Sequence, residues 1–221
     1  MHSFLQRDKY RILLLSVAVM IFIQPLLSEL HFAKWTFFTF TSIILIACVY
    51  AVRGSRQHLL IAISMMLPIL VLFWLDIPTK HDWYNLVSNA SPILLFSYIS
   101  YLIFKDLIQA KKIDADMIAG GISIYLMIGL IFAFIYIGLF NFNHGNFVVS
   151  EMLEAQKLKY DENIFVYFSY VTMTTLGYGD VTPVTTIARV VVQFQVLLAQ
   201  LYLAIFIARL VSMYTASKMS D

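Results

Sequence analysis

Six stretches of the chain are apolar for the better part of twenty residues: 12–28, 35–52, 59–75, 84–104, 117–140 and 185–212. Crossing the hydrocarbon of a bilayer takes about 20 such residues, and only a complete helix or a closed barrel satisfies its own backbone there. Each stretch is therefore read as a membrane-spanning helix. The fourth is the most diluted, with Asn85, Ser88, Asn89 and Ser91 in its first half and Pro92 predicting a kink. Between the fifth and sixth lies a polar stretch, 141–184, that holds a shorter apolar piece, 163–173. That piece is too short to cross and is flanked by turn-forming residues, so it is read as a re-entrant helix. The first run follows Arg7, Lys9 and Arg11, as a signal peptide would. It is long for one, however, and ends in Ser28-Glu29-Leu30 with no small-x-small cleavage site, so a retained span is expected.

Composition agrees with this pattern. Of the 221 residues 61% are hydrophobic and 13% charged, whereas soluble chains sit near half and a quarter. A formal charge of +2 gives no reason to expect nucleic acid. Cys48 is the single cysteine and lies in an apolar run, so no disulfide forms within the chain.

Charge sets the expected orientation. With an inside N-terminus, the inner segments carry Arg7, Lys9, Arg11, Arg53, Arg56, Lys105, Lys111, Lys112, Arg209 and Lys218. The outer ones carry only Lys34, Lys80, Lys157, Lys159 and Arg189. Basic residues concentrate on the cytoplasmic side, so both termini are expected inside the cell membrane and 141–184 outside. The chain divides into a four-helix unit, 1–104, a charged cytoplasmic-side linker, 105–116, and a second unit, 117–221. In the linker Leu107, Ile108 and Ile113 give a weakly apolar face, with a plain solvated connector as the equal alternative.

Residues 172–180 read Thr-Met-Thr-Thr-Leu-Gly-Tyr-Gly-Asp, and Gly177 and Gly179 alternate within them. Backbone carbonyls can replace the water around a dehydrated ion if they point inward at successive levels along an axis. Alternating backbone hand achieves this, and glycine adopts positive φ without steric cost. One chain supplies one carbonyl per level, too few to cage an ion; four chains complete each ring.

Here the chain resembles the potassium channel family, most strongly over 163–212. The resemblance implies a tetrameric, all-α membrane protein with an outer helix at 117–140, a pore helix at about 161–174, a selectivity filter at 175–179 and an inner helix at 185–212. It implies K⁺ as the permeant ion, coordinated by carbonyls of Thr175, Leu176, Gly177, Tyr178 and Gly179 and by the Thr175 hydroxyl. Leu176 stands where valine is commoner. Tyr167 and Asp180 match a pair that hydrogen-bonds across the filter's flank, and Thr174 joins them as support. Some relatives carry a glutamate behind the filter, where this chain has Val171. Gln200 matches the central cavity below the filter, with a helix–helix hydrogen bond as the competing reading; for Gln193 and Gln195 that second reading leads. Ala199 occupies the place of a common hinge glycine. In the fifth span, Gly129 and Ala133 form a small-xxx-small pair suited to close packing.

The first four spans resemble the voltage-gated group only in number. Each charge moved through the field gains about 2.3 kcal/mol per 100 mV, so a sensor needs several arginines, and Tyr84–Phe104 has neither Arg nor Lys. The segment Val211–Asp221 leaves no room for a regulatory domain, and the regulatory ligand and gating stimulus are not identified. No nucleophile–base pair or metal-ligand spacing suggests an enzyme or a cofactor; His2, His31, His58, His81 and His144 are scattered and read as terminal and loop residues. A weakly selective cation channel is the first alternative. A secondary transporter is the second, though the two related halves expected of one are not seen.

Overall fold

The computed structural model describes residues 8–28, 33–75, 82–110, 114–150 and 162–218. Within them run eight α-helices, α1 (Lys9–Phe22), α2 (Gln24–Ser28), α3 (Ala33–Ala51), α4 (Arg56–Leu75), α5 (Asp82–Gln109), α6 (Ala115–Phe142), α7 (Glu162–Met173) and α8 (Thr186–Lys218), and a short 3-10 turn, His144–Asn146. Four helices are long and apolar enough to cross a membrane: Arg56–Leu75, Leu86–Gln109, Ala115–Phe142 and Thr186–Met213. The second expected span survives as a 17-residue apolar helix, Trp35–Ala51, about 25 Å long against a hydrocarbon core of about 30 Å.

The first expected span differs. It breaks at Ile23 into α1, of 14 residues, and α2, of five. Pro25 is the physical reason, since its ring crowds the carbonyl four residues back and it offers no N–H to the helix. The linker read as 105–116 also differs. Residues Lys105–Gln109 continue α5, and α6 begins at Ala115, so the connector is reduced to 110–114. Asp114 stops it by accepting the Met117 amide at 2.8 Å as an N-cap. Leu107 turns inward and is buried, whereas Ile108 is exposed; Ile113 lies outside the described residues.

Among the described residues α5 and α6 make the most extensive helix contact, so the four-helix unit packs on its own chain's α6. Leu95, Phe96, Ile99 and Ile103 of α5 and Met127, Leu130, Ala133 and Phe134 of α6 are all within the buried apolar core. α1 packs on α6 as well, and the contact is closed by a cap from outside the helix. Asp8 makes no side-chain cap on α1; it pairs with Arg11 at 2.7 Å instead. The first-turn amides of Tyr10 and Arg11 go to Asp116 Oδ1 of α6 at 3.0 and 3.1 Å, where a carboxylate suits the positive end of the helix. Gly120 makes room for the Tyr10 ring: a Cβ there would lie 2.9 Å from Tyr10 Cδ2.

The all-helical expectation holds with one small exception. β1 (Phe147–Val149) pairs antiparallel with β2 (Val181–Pro183), in the register Phe147↔Pro183, Val148↔Thr182 and Val149↔Val181. This ladder ties the end of α6 to the segment after the glycines. Cys48 is fully buried in the apolar core.

Candidate functional site

α7 and the loop after it form one unit. Four consecutive loop amides turn back onto the end of the helix: Thr174 N–H to Tyr170 O at 3.0 Å, Thr175 to Thr172 O at 3.0 Å, Leu176 to Val171 O at 3.0 Å and Gly177 to Val171 O at 3.3 Å. The Thr174 hydroxyl also bonds back, to Tyr170 O at 2.7 Å. Backbone hand then alternates. Thr175, Gly177 and Gly179 have φ of 62°, 56° and 82°, and Leu176 and Tyr178 between them do not. Positive φ costs a non-glycine residue about 1–2 kcal/mol, and a β-branched one is unusual there. Thr175 is thus a strained position, held by its neighbours.

The carbonyls make the loop distinctive. Among the described residues, no donor reaches the oxygens of Thr175, Leu176, Gly177, Tyr178 or Gly179. These five residues are exposed, and their successive free oxygens, on a stretch whose Thr175, Leu176 and Gly177 amides are tied back, form an acceptor array. It has the electrostatics to hold a cation, and the C-terminal end of α7 adds its partial negative charge.

The array is braced on both sides. The Tyr167 hydroxyl donates to Asp180 Oδ2 at 2.6 Å, Asp180 Oδ1 accepts the Val181 amide at 3.0 Å, and Asp180 O takes the Ser150 amide at 2.8 Å. Behind α7, Gln195 is fully buried. Its Nε2 donates to Ser169 Oγ at 2.7 Å and Ser169 O at 3.1 Å, and its Oε1 accepts from Tyr136 of α6. Ser169 Oγ donates in turn to Gly129 O at 2.6 Å. One amide therefore joins α6, α7 and α8. Gly129 admits the Tyr170 ring, since a Cβ there would stand 2.4 Å from Tyr170 Cε1. Ala133, its partner in the small-residue pair, is fully buried.

Gln200 lies where α8 passes the base of the array and donates from Nε2 to Met173 O at 3.2 Å. It reaches the end of α7 and also makes the helix–helix bond that was the competing reading. Gln193 shares its exposed face. Ala199, at the expected hinge position, is fully buried. Beside these amides, and away from buried Gln195 and Ala199, α8 carries exposed apolar residues at Val190, Phe194, Leu197, Leu201 and Ile205. Only 22% of the apolar window of α8 is buried, against 61% of α6, so α8 presents a large face to something other than its own chain.

Other residues take roles that the sequence reading does not give them, Tyr136 and Ser169 above among them. Buried Asn146 frames the return from the loop: its Nδ2 donates to Leu139 O at 2.6 Å, its Oδ1 accepts from Thr185 Oγ1 at 2.7 Å, and its backbone oxygen takes the Val184 amide at 2.9 Å. A lone Asn in a polar loop gives no signal of this. Arg209, counted above only as a charge, donates from Nη2 to Ile108 O at 2.8 Å and Ala110 O at 3.2 Å, capping the end of α5. His58 is not a loop residue but sits in the first turn of α4, with Nδ1 2.8 Å from the Tyr98 hydroxyl.

Residues 124–216 match a family model described as an ion channel. The match takes in most of α6, all of α7, the acceptor array and most of α8, and covers less than half of the chain. No curated protein and no solved structure matches.

Proposed function

We propose that the chain is one subunit of a tetrameric potassium-selective channel of the cell membrane, conducting K⁺ passively through a filter at Thr175–Gly179. The observation that carries this reading is the row of five unpartnered carbonyls on a backbone of alternating hand. Four copies around an axis give rings of oxygens at successive levels, each replacing part of the hydration shell of a K⁺ ion. The exposed apolar face of α8 supplies the surface on which such copies meet, and the ion-channel match over 124–216 supports passive conduction by this half. Tyr167 and Asp180 brace each filter from the side, and Gln200 faces the cavity beneath. Six helical segments cross the bilayer with both termini cytoplasmic, as the distribution of Lys and Arg favours. The four-helix unit, with no Arg or Lys among residues 84–104, scaffolds the pore and does not sense voltage.

Purified protein in liposomes tests this. Flux driven by a K⁺ gradient should far exceed flux driven by an equal Na⁺ gradient, and native mass spectrometry should give a tetramer. Equal K⁺ and Na⁺ flux would leave the weakly selective cation channel, and a dimer or trimer would remove the ring geometry.

A further inference from the structure

At the end of the four-helix unit away from the filter lies a cavity of about 220 Å³ walled by α1, the end of α3, the turn before α4, α4 and α5. Its wall brings together Lys9, His58, Lys105 and Asp106, with Ser55 and Gln109 as further polar groups. Asp106 is already engaged, accepting the Tyr10 hydroxyl at 2.6 Å and Lys9 Nζ at 3.4 Å. Lys105 has no hydrogen bond or ion pair among the described residues. His58 uses Nδ1 toward Tyr98 and keeps a second ring nitrogen. Gly54 and Ser55 add the N-terminal end of α4, whose first amides have no acceptor within the helix. With Lys9 paired to Asp106 and lying 4.3 Å from the Tyr10 ring centroid, Lys105 is the uncompensated ammonium of the wall, with neutral donors around it: the chemistry of an anion site.

We propose that this cavity binds a phosphate-bearing anion, and that its occupancy is read by the pore. Size limits the ligand, since drug-sized pockets run from about 300 to 1,000 Å³ and this one suits a single phosphate ester head. On the orientation proposed above, the cavity opens at the level of the cytoplasmic lipid head groups, so a lipid phosphate and a free phosphate ester are the two sources of the same chemistry. The reading by the pore is structural. Lys105, Asp106 and Gln109 belong to the last turns of α5, and the carbonyls at the end of that helix are the ones held by Arg209 of α8. A ligand that draws this turn toward the cavity pulls on the end of α8. The regulatory part rests on the channel reading; the binding part does not.

Binding is therefore measured apart from flux. Full-length protein in phosphatidylcholine nanodiscs is titrated with glycerol 3-phosphate by calorimetry, and native mass spectrometry records retention of phosphatidic acid from discs that contain it. At least one probe should bind, and Lys105→Gln and His58→Gln should each weaken it about tenfold, as expected for loss of one charge-assisted hydrogen bond. Arg189→Gln, far from the cavity, should leave it unchanged. Glycerol 3-phosphate binding points to a soluble ligand, and phosphatidic acid retention alone points to lipid. Failure of both probes to bind, or equal binding by the Lys105 and His58 variants, overturns the site. In liposomes the bound probe should change K⁺ flux of the wild type and not of Arg209→Ala, which should still bind it; flux indifferent to the probe overturns the regulatory part. A protein that binds the probe and carries no ion refutes the channel and keeps the site, whereas one that conducts and binds neither probe does the reverse.

Discussion

The two halves of this molecule are held together by different physics. From α6 onward, polar side chains set the geometry: Gln195, Ser169 and Tyr136 join three helices, Asn146 and Thr185 fix the loop return, and Tyr167 holds Asp180. From α1 to α5 the contacts deep in the fold are apolar, such as Ile44, Leu45, Ile69, Leu95 and Ile99. Polar bonds between those helices are few: one group lies at the end near Lys9, Tyr10 and Asp106, and Trp74 donates to Ser42 Oγ at 3.2 Å between α4 and α3. Apolar packing tolerates conservative change, because shape and volume can be met in several ways. A polar hub has one solution, and removing a member leaves buried groups unpaired. The half with the acceptor array is thus the half whose geometry is over-determined, as five free carbonyls and a strained Thr175 require.

The strongest way to break this contrast is at the array itself. Gly177→Ala places a Cβ at φ 56°, costing about 1–2 kcal/mol in every subunit. Selective flux should disappear while native mass spectrometry still shows assembly. Next comes Gln195→Leu, which removes three hydrogen bonds between helices. Such bonds in membranes average about 0.6 kcal/mol each, so thermal unfolding in detergent should show a loss of about 2 kcal/mol. The matched apolar change in the other half, Ile99→Val, should cost only about 1 kcal/mol and leave conduction intact; a larger loss from Ile99→Val than from Gln195→Leu would abolish the distinction. Tyr167→Phe is milder, because Tyr167 is 39% exposed. Losing its bond to Asp180 should cost about 1 kcal/mol, seen as faster loss of conduction in low K⁺. The smallest effect concerns voltage. A sensor needs several charges crossing the field, and α5 carries none between Leu86 and Phe104. Open probability should hardly change over about ±100 mV; a gating charge of several units per tetramer, persisting when the permeant ion is changed, would reveal a sensor in the apolar half.

The contrast also explains what could be read from the chain alone. Long apolar runs mark helices because the bilayer imposes length, so α4, α5, α6 and α8 were visible, with ends off by a few residues where Asp114 caps α6 and Lys105–Gln109 extend α5. Pro25 carried the break in the first run, but that run was read for its apolar length. Gly177 and Gly179 announced alternating hand, since few other residues take it cheaply. The same conformation at Thr175 had no such signal. Nor did the β1–β2 ladder, three residues a side, or the capping of α1 by Asp116, which lies 106 positions from Tyr10. Local patterns record helices and turns, whereas contacts across a hundred residues are settled only by packing.

The central claim is that the carbonyls of Thr175–Gly179 select K⁺, and the reversal potential under bi-ionic conditions tests it most directly. With K⁺ on one side of a planar bilayer and an equal concentration of Na⁺ on the other, the current through reconstituted wild-type protein should reverse at a large potential, negative on the K⁺ side. Reversal near zero would mean that both ions pass alike and would contradict the account.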